Sequence, residues 1–250
     1  MSKTIGQEFI EKTKYQHLDV SDQEKELPQP PLAWSAEREE LVDLPSPDTI
    51  EVPPLDITAA FSQRKTWRKY TENPISLSEL AYLLWQTQGV RKVTNRPTTM
   101  RTVPSAGARH PFETFLLINR VQDLRPGLYR YLALEHKLAV VNLDADISQR
   151  IEENCGGQPY VGKSAVTFIW VADIYRSVWR YQERAYRYAF LDAGHVCQNL
   201  YLAVAPIGCG CCAIGAFDDD QINYTLGLNG TDQFVIYAAT VGKIGATPTQ

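Results

Sequence analysis

Hydrophobic positions along this chain are unevenly spread. Up to about residue 54 they are sparse and broken by prolines, in Leu27-Pro-Gln-Pro-Pro-Leu32, Leu44-Pro-Ser-Pro47 and Val52-Pro-Pro-Leu55. Such a stretch cannot bury enough apolar surface for a core of its own, so residues 1–54 read as an extended arm lying on the domain or on a partner subunit. Regular patterning begins near residue 55. Ile57 to Phe61 starts like a helix, and Ser76-Leu-Ser-Glu79 is a capping box followed by Leu80, Leu83 and Leu84 at helical spacing, with Gly89 as the stop. The run Glu113–Asn119 predicts a strand, and Gly127–Leu132 with Lys137–Asn142 the arms of a hairpin. Ala165–Ala172 and Phe234–Val241 are continuous apolar runs, as expected of strands covered on both faces. Ala189, Ala193, Val196, Cys197, Leu200 and Val204 recur at helical spacing and predict one long helix from about Arg180 to Ala205. Strands and helices alternate irregularly, which favours an α+β sheet flanked by helices over a doubly wound one.

Composition narrows the picture. The chain has 250 residues, enough for one large domain over 55–250 plus the arm. Its net charge of −4 argues against nucleic acid as a partner, since phosphate backbones call for a basic excess. No apolar run approaches the roughly 18–20 residues that span a bilayer. The opening Met-Ser-Lys-Thr-Ile-Gly-Gln-Glu lacks the apolar core of a secretory signal, so the expected location is cytoplasmic. An odd count of five cysteines fits reduced thiols. Cys209-Gly-Cys-Cys has no second ligand pair, and His195 stands alone, so no metal is expected; the thiols read as small buried residues beside a glycine-rich turn. A dinucleotide fingerprint and a Walker loop are both missing.

Three segments carry candidate chemistry. Arg64-Lys65-Thr66-Trp67-Arg68 gathers three cations and a hydroxyl, groups suited to a phosphate. Pro104-Ser105-Ala106-Gly107-Ala108-Arg109-His110 is a small-residue turn whose backbone can approach a flat or anionic group closely. Ala213-Ile214-Gly215-Ala216-Phe217 offers a second small-residue wall. Singly, these are a solvated helix face and two ordinary loops. Together, cations for a phosphate and small walls for a planar ring are the requirements of a mononucleotide flavin site.

Arg-Lys-Thr-Trp-Arg, Pro-Ser-Ala-Gly and Ala-Ile-Gly-Ala-Phe stand in the order of the FMN-binding motifs of the nitroreductase superfamily, which the chain resembles over roughly residues 56–245. Gly127-Leu-Tyr-Arg-Tyr131, Tyr186-Arg-Tyr-Ala-Phe-Leu-Asp-Ala-Gly-His-Val196 and Gln198-Asn-Leu-Tyr-Leu202 look like its SagB-type, thiazole/oxazole dehydrogenase-like branch. The resemblance implies an α+β nitroreductase-like fold with a mainly antiparallel sheet. It also implies an interlocked homodimer with FMN at the subunit interface, and NAD(P)H as a possible donor. It puts Arg64, Lys65 and Thr66 near the phosphate or ribityl chain and Arg68 near N1/O2 of the ring. Pro104, Ser105, Ala106 and Gly107 would come from the other subunit, with Ile214, Gly215 and Ala216 on the opposite face or N5 edge.

Two departures from the family pattern stand out. Only Lys243 follows the last strand where a basic pair is usual, which leaves Arg64, Lys243 or Arg109 for the phosphate. Azoline-oxidising members usually carry Lys-Tyr where this chain has Arg180-Tyr181, and an arginine side chain does not serve as a general base near neutral pH. Tyr181 and Arg180 remain the catalytic candidates. Asp192 and His195, a helical turn apart, read as structural, while Arg109 and His110 read as a substrate contact or access gate. The expectation is an FMN-dependent oxidoreductase passing hydride through flavin N5 in a dimer cleft, acting on a small molecule. The alternatives are a peptide azoline dehydrogenase and a non-catalytic flavin-binding protein.

Overall fold

The computed structural model describes residues 2–245; residues 246–250, the far end of the expected domain, lie outside the described residues. Nine strands are found among them: β1 (Leu41–Asp43), β2 (Val90–Val93), β3 (Thr99–Arg101), β4 (Phe112–Ile118), β5 (Gly127–Leu132), β6 (Lys137–Asn142), β7 (Val166–Asp173), β8 (Cys209–Ile214) and β9 (Gln233–Lys243). Seven form one sheet in the order β1-β6-β5-β4-β7-β9-β8, every neighbouring pair antiparallel, while β2 and β3 form a separate hairpin. The continuous apolar runs become the interior strands β7 and β9, and the run 113–119 becomes β4 beside them.

Both faces of the sheet are covered. Helices α3 (Leu77–Gln88) and α6 (Ala185–Ala203) lie on one side, where Leu116, Phe168 and Trp170 meet Leu80, Leu84, Ala193, Val196 and Leu200. Alternate residues Phe115, Leu117, Ile169 and Val171 point the other way and meet Ile147 and Ile151 of α4 (Ile147–Asn154) and Ile222 of α7 (Asp219–Thr225). The capping box at Ser76 and Glu79 is formed, and Gly89 caps α3 as expected.

The expected helix over 180–205 is two helices. α5 (Tyr175–Tyr181) ends where Gln182 takes φ +49° and ψ −139°, a region L-residues rarely visit. The Gln182 amide is clamped on both backbone groups of Asp19, so the N-terminal segment holds the break open. Arg180 and Tyr181 thereby stand at an elbow. The segment before residue 55 carries more regular structure than an extended arm: α1 (Ile5–Lys12), capped by Thr4 and Gln7, and the edge strand β1 on β6. It straps the elbow through Arg184 Nη1 to the Thr13 carbonyl (3.0 Å), Gln23 N–H to the Trp179 carbonyl (2.8 Å) and Trp179 Nε1 to the Leu27 carbonyl (3.0 Å). Cys209-Gly-Cys-Cys, expected as a turn, is strand β8, paired along its length with β9, with Cys209 and Cys211 buried on the helix side and Cys212 on the opposite face.

Candidate functional site

The basic segment follows α2 (Ile57–Gln63) and runs along the outer edge of β8. Trp67 N–H donates to the Cys211 carbonyl (2.9 Å), and Thr71 N–H to the Lys243 carbonyl (2.8 Å). Gly210 makes this approach possible, since a Cβ there would lie 2.6 Å from the Trp67 side chain. The Trp67 side chain thus packs against the strand at Gly210 and anchors the segment. Arg64, Lys65, Thr66 and Arg68 stay exposed, and among the described residues none of the three cations has a carboxylate partner. Lys65 Nζ sits 4.0 Å over the Trp67 ring, and Arg64 stacks 5.4 Å from the Tyr201 ring. Tyr201 ties the patch together: its hydroxyl accepts from Ala213 N–H (3.0 Å) and lies 3.2 Å from Thr66 Oγ1. Arg68 reaches Cys212 and Tyr160, and Gly215 and Ala216 are exposed just beyond β8.

The Pro-Ser-Ala-Gly turn is built in a contrasting way. Gly107 has φ +58°, and Ala108 and His110 also have positive φ, +53° and +44°. Non-glycine residues hold such angles only where surroundings impose them. Here Asp192 of α6 does so. Its carboxylate accepts from Ser105 Oγ (2.6 Å) and Ala106 N–H (3.2 Å), while Ser105 Oγ accepts from His110 N–H (2.9 Å). Burial pushes the Asp192 carboxyl up, and the bonds from Ser105 and Ala106 oppose that. A Cβ on Gly107 would run into the Tyr181 hydroxyl, so the elbow backs the turn directly, with Arg180 beside it. Pro104 and Gly107 face solvent.

One chain therefore brings together Arg64, Lys65, Thr66, Arg68, Ile214, Gly215 and Ala216 at one place, and Pro104–Gly107 with Arg180 and Tyr181 at another. Asp192 and Tyr201 mark the two on α6; nine residues at 1.5 Å each put them roughly 13 Å apart. Between them α6 exposes Gly194, His195 and Gln198, and just before Asp192 it exposes Phe190 and Leu191.

Two cations expected near the phosphate are engaged elsewhere. Arg109 turns inward, with Nε donating to the Arg176 carbonyl (2.8 Å) and the guanidinium 5.0 Å over Trp179. Lys243 Nζ pairs with Glu79 Oε1 (2.5 Å) and donates to the Ile207 carbonyl (2.7 Å). Arg109 and His110 are both buried, so neither is a gate at the surface. Burial, with Arg101 nearby, drives the His110 pKa down to about 3, and the ring is neutral. Sequence reasoning left Tyr201 without a role and gave Asp192 only a structural one. The available signal was a carboxylate and a hydroxyl at the edges of an otherwise apolar helical stripe.

The thiols carry no chemistry in this arrangement. Burial pushes Cys197 and Cys209 up to about 12 and Cys155 up to about 11, and raises Cys211 well above the ordinary thiol range. Among the described residues no His/Cys/Asp/Glu group suited to a metal is found, and no helix is long and apolar enough to cross a membrane.

The α+β architecture matches that of known reductase folds. A solved Ralstonia eutropha structure described as a nitroreductase superposes with a TM-score of 0.68 at 24% identity, covering 88% of this chain and all of that one. The chain belongs to the nitroreductase family, whose model matches residues 61–243. A Methanocaldococcus jannaschii protein named as a nitroreductase is 29% identical over 185 residues, 74% of this chain and 89% of that protein. The microcin B17-processing protein McbC of Escherichia coli is 26% identical over 133 residues, 52% of this chain and 49% of that protein. The chain is thus an oxidoreductase of this family, with relatives in the SagB-type branch.

Proposed function

We propose that the protein is an FMN-dependent oxidoreductase working as a homodimer, with each flavin held between Arg64, Thr66, Arg68, Gly215 and Ala216 of one subunit and the Pro104–Gly107 turn of the other. The carrying observation is the separation of two complementary half-sites on one chain. Exposed cations with no carboxylate partner among the described residues stand by Tyr201 at the C-terminal end of α6, and a preshaped small-residue surface stands by Asp192 near its middle. The residues present fit the group. Arg64 and Thr66 supply charge-assisted and hydroxyl donors for a phosphate, and Arg68 a cation for the electron-rich edge of a reduced ring. Gly107 keeps a flat surface where any side chain would collide. Bound flavin supplies a hydride acceptor and donor; the protein binds it, orients it and shields one face. Residues 1–54 act as an arm fastening the elbow, and 55–250 form the catalytic domain.

Within this reading Tyr181 stands behind the turn to donate or accept a proton, and Arg180, 5.4 Å over its ring, is the neighbouring cation. Arg109 and Lys243 are left out of the phosphate site because both are already engaged. The exposed Phe190 and Leu191 of α6 form the contact between subunits. A donor such as NAD(P)H with a nitro- or quinone-type acceptor is the favoured reaction. Similarity to McbC supports a second reading, dehydrogenation of azoline rings in a peptide, in which Arg180 replaces the usual lysine and Tyr181 alone handles the proton.

The visible spectrum of the purified protein tests the first step, and chromatography of the released chromophore identifies it. A yellow dimer whose colour bleaches anaerobically with NADH or NADPH supports the reductase. A coloured protein that neither nicotinamide bleaches, but that oxidises a thiazoline peptide, supports the second reading. A colourless protein that takes up no FMN overturns both.

A further inference from the structure

The β2–β3 hairpin folds beside the turn and walls a cavity of about 370 Å³, lined among others by Arg91, Thr99, Arg101, Thr102, Ser105 and His110. Its electrostatics are unusual. Among the described residues four guanidiniums are buried, those of Arg101, Arg109, Arg130 and Arg176, against two buried carboxylates, Glu113 and Asp192. Arg176 pairs with Glu113 (2.6 Å) and Asp173 (3.2 Å), and Arg130 with Glu39 (3.2 Å). Arg109 stacks on Trp179. Arg101 forms no ion pair among the described residues; the nearest favourable charge, Glu113, is paired with Arg176 and acts on it only from farther away. Arg101 is 3% exposed, and its donors reach only Thr99 Oγ1 (3.2 Å), Gln88 Oε1 (2.8 Å) and the Leu32 carbonyl (3.5 Å), all neutral. Burial lowers its pKa to about 10, which leaves it charged at neutral pH. A buried charge beside a cavity with no directly paired carboxylate is costly, and an anion entering the cavity would lower that cost.

The remaining wall suits one kind of anion. Arg91 uses Nη2 on the Arg101 carbonyl (2.9 Å), and the rest of its fork faces no carboxylate among the described residues. Thr99 Oγ1 accepts from Arg101, so its proton is free to donate into the cavity. His110 is neutral and adds no charge. We infer that this cavity binds the carboxylate of a small-molecule substrate, Arg91 taking its two oxygens and Arg101 supplying the buried counter-charge. A fork of parallel N–H groups matches two carboxylate oxygens, whereas a phosphate dianion would leave an oxygen against the uncharged imidazole. Pro104 and Ser105 line this cavity and also form the turn, so a molecule anchored here lies against the surface assigned to the flavin. Calling that molecule a substrate rests on the flavin reading; the anion site does not.

Calorimetric titration of the full-length protein with benzoate, benzyl alcohol and inorganic phosphate separates these claims. Benzoate binds saturably, and benzyl alcohol and phosphate bind about tenfold more weakly or worse. Arg91→Ala weakens benzoate by about tenfold while its melting temperature matches wild type, because Arg91 is exposed. Arg101→Gln removes binding, and Arg91→Ala keeps the test decisive if that variant fails to fold. Equal affinity for benzoate and benzyl alcohol, displacement of benzoate by phosphate, or an Arg91→Ala variant that binds like wild type would each overturn the assignment. A colourless protein that still binds benzoate keeps the site and removes only the flavin reading.

Discussion

The two small-residue segments look alike as strings of Gly, Ala, Ser and Cys, yet they are held by opposite means. The turn at 104–107 is fixed from within, by the Asp192 carboxylate, by Tyr181 behind Gly107 and by a floor of buried arginines. The wall at 209–216 is an ordinary edge strand, and its chemistry comes from outside, from cations laid along it by the Trp67 anchor on Gly210. The first region invests its polar groups in its own shape and presents a surface. The second leaves Arg64, Lys65 and Arg68 uncommitted and presents charge. A substitution in the turn should therefore cost fold and flavin together, while one among the cations should cost flavin alone.

Gly107→Ala should have the largest effect. It forces an L-residue at φ +58° and a methyl group into the Tyr181 hydroxyl, and strain of this kind costs about 1–3 kcal/mol. Lower stability in urea and loss of bound flavin should appear together; a stable variant of full colour would show that the turn tolerates bulk and is not a shaped wall. Arg64→Ala should show the other half of the contrast. Removing a charge-assisted contact worth about 1.5–3 kcal/mol should weaken FMN about 10- to 150-fold in a fluorescence titration. The melting temperature of the apoprotein should not change, since Arg64 is exposed and only stacks on Tyr201. Unchanged FMN affinity would remove Arg64 from the phosphate site.

Much of the sheet was legible because period-two and continuous apolar runs report burial directly, as in β5, β6 and β7. The helix break at Gln182 was not, because no proline or glycine marks it and the residue that stabilises it, Asp19, is remote in sequence. β8 was misread for a related reason: a glycine beside cysteines suggests a turn, and only the Trp67 contact shows why a strand needs it. At the site, residue types were readable and commitments were not. Arg109 and Lys243 look like the other cations on paper, and only Arg176, Trp179 and Glu79 show that they are taken.

The turn should also be the pH-sensitive half. His110 is neutral when folded, with its pKa near 3 through burial and the positive charge of Arg101 and Arg109, while an unfolded histidine titrates near 6.5. Below about pH 6.5 the unfolded chain takes up a proton that the folded chain refuses, so stability falls as pH drops towards 3. One such proton costs up to about 1.4 kcal/mol per pH unit. Urea unfolding near pH 6.5 and 5.5 should show His110→Gln losing less stability than wild type over that unit by up to this amount. Parallel losses would mean that His110 is not sealed from solvent.

The smallest effect on FMN affinity expected at the cation end comes from Lys243, and it is the most discriminating. Family resemblance makes a basic residue after the last strand a phosphate ligand, while the structure gives Lys243 to Glu79 and to the Ile207 carbonyl at the end of α6. Both partners are less than a quarter exposed, so water screens the pair less than a surface pair, and losing it costs about 1–2 kcal/mol. Lys243→Met should therefore lower stability by that amount and leave FMN affinity within about twofold, since about 0.4 kcal/mol or less separates the two states. If affinity instead falls as far as in Arg64→Ala, Lys243 must leave Glu79 when FMN binds. The cation end would then share the turn's character, with charges already invested in the fold and released only by the ligand.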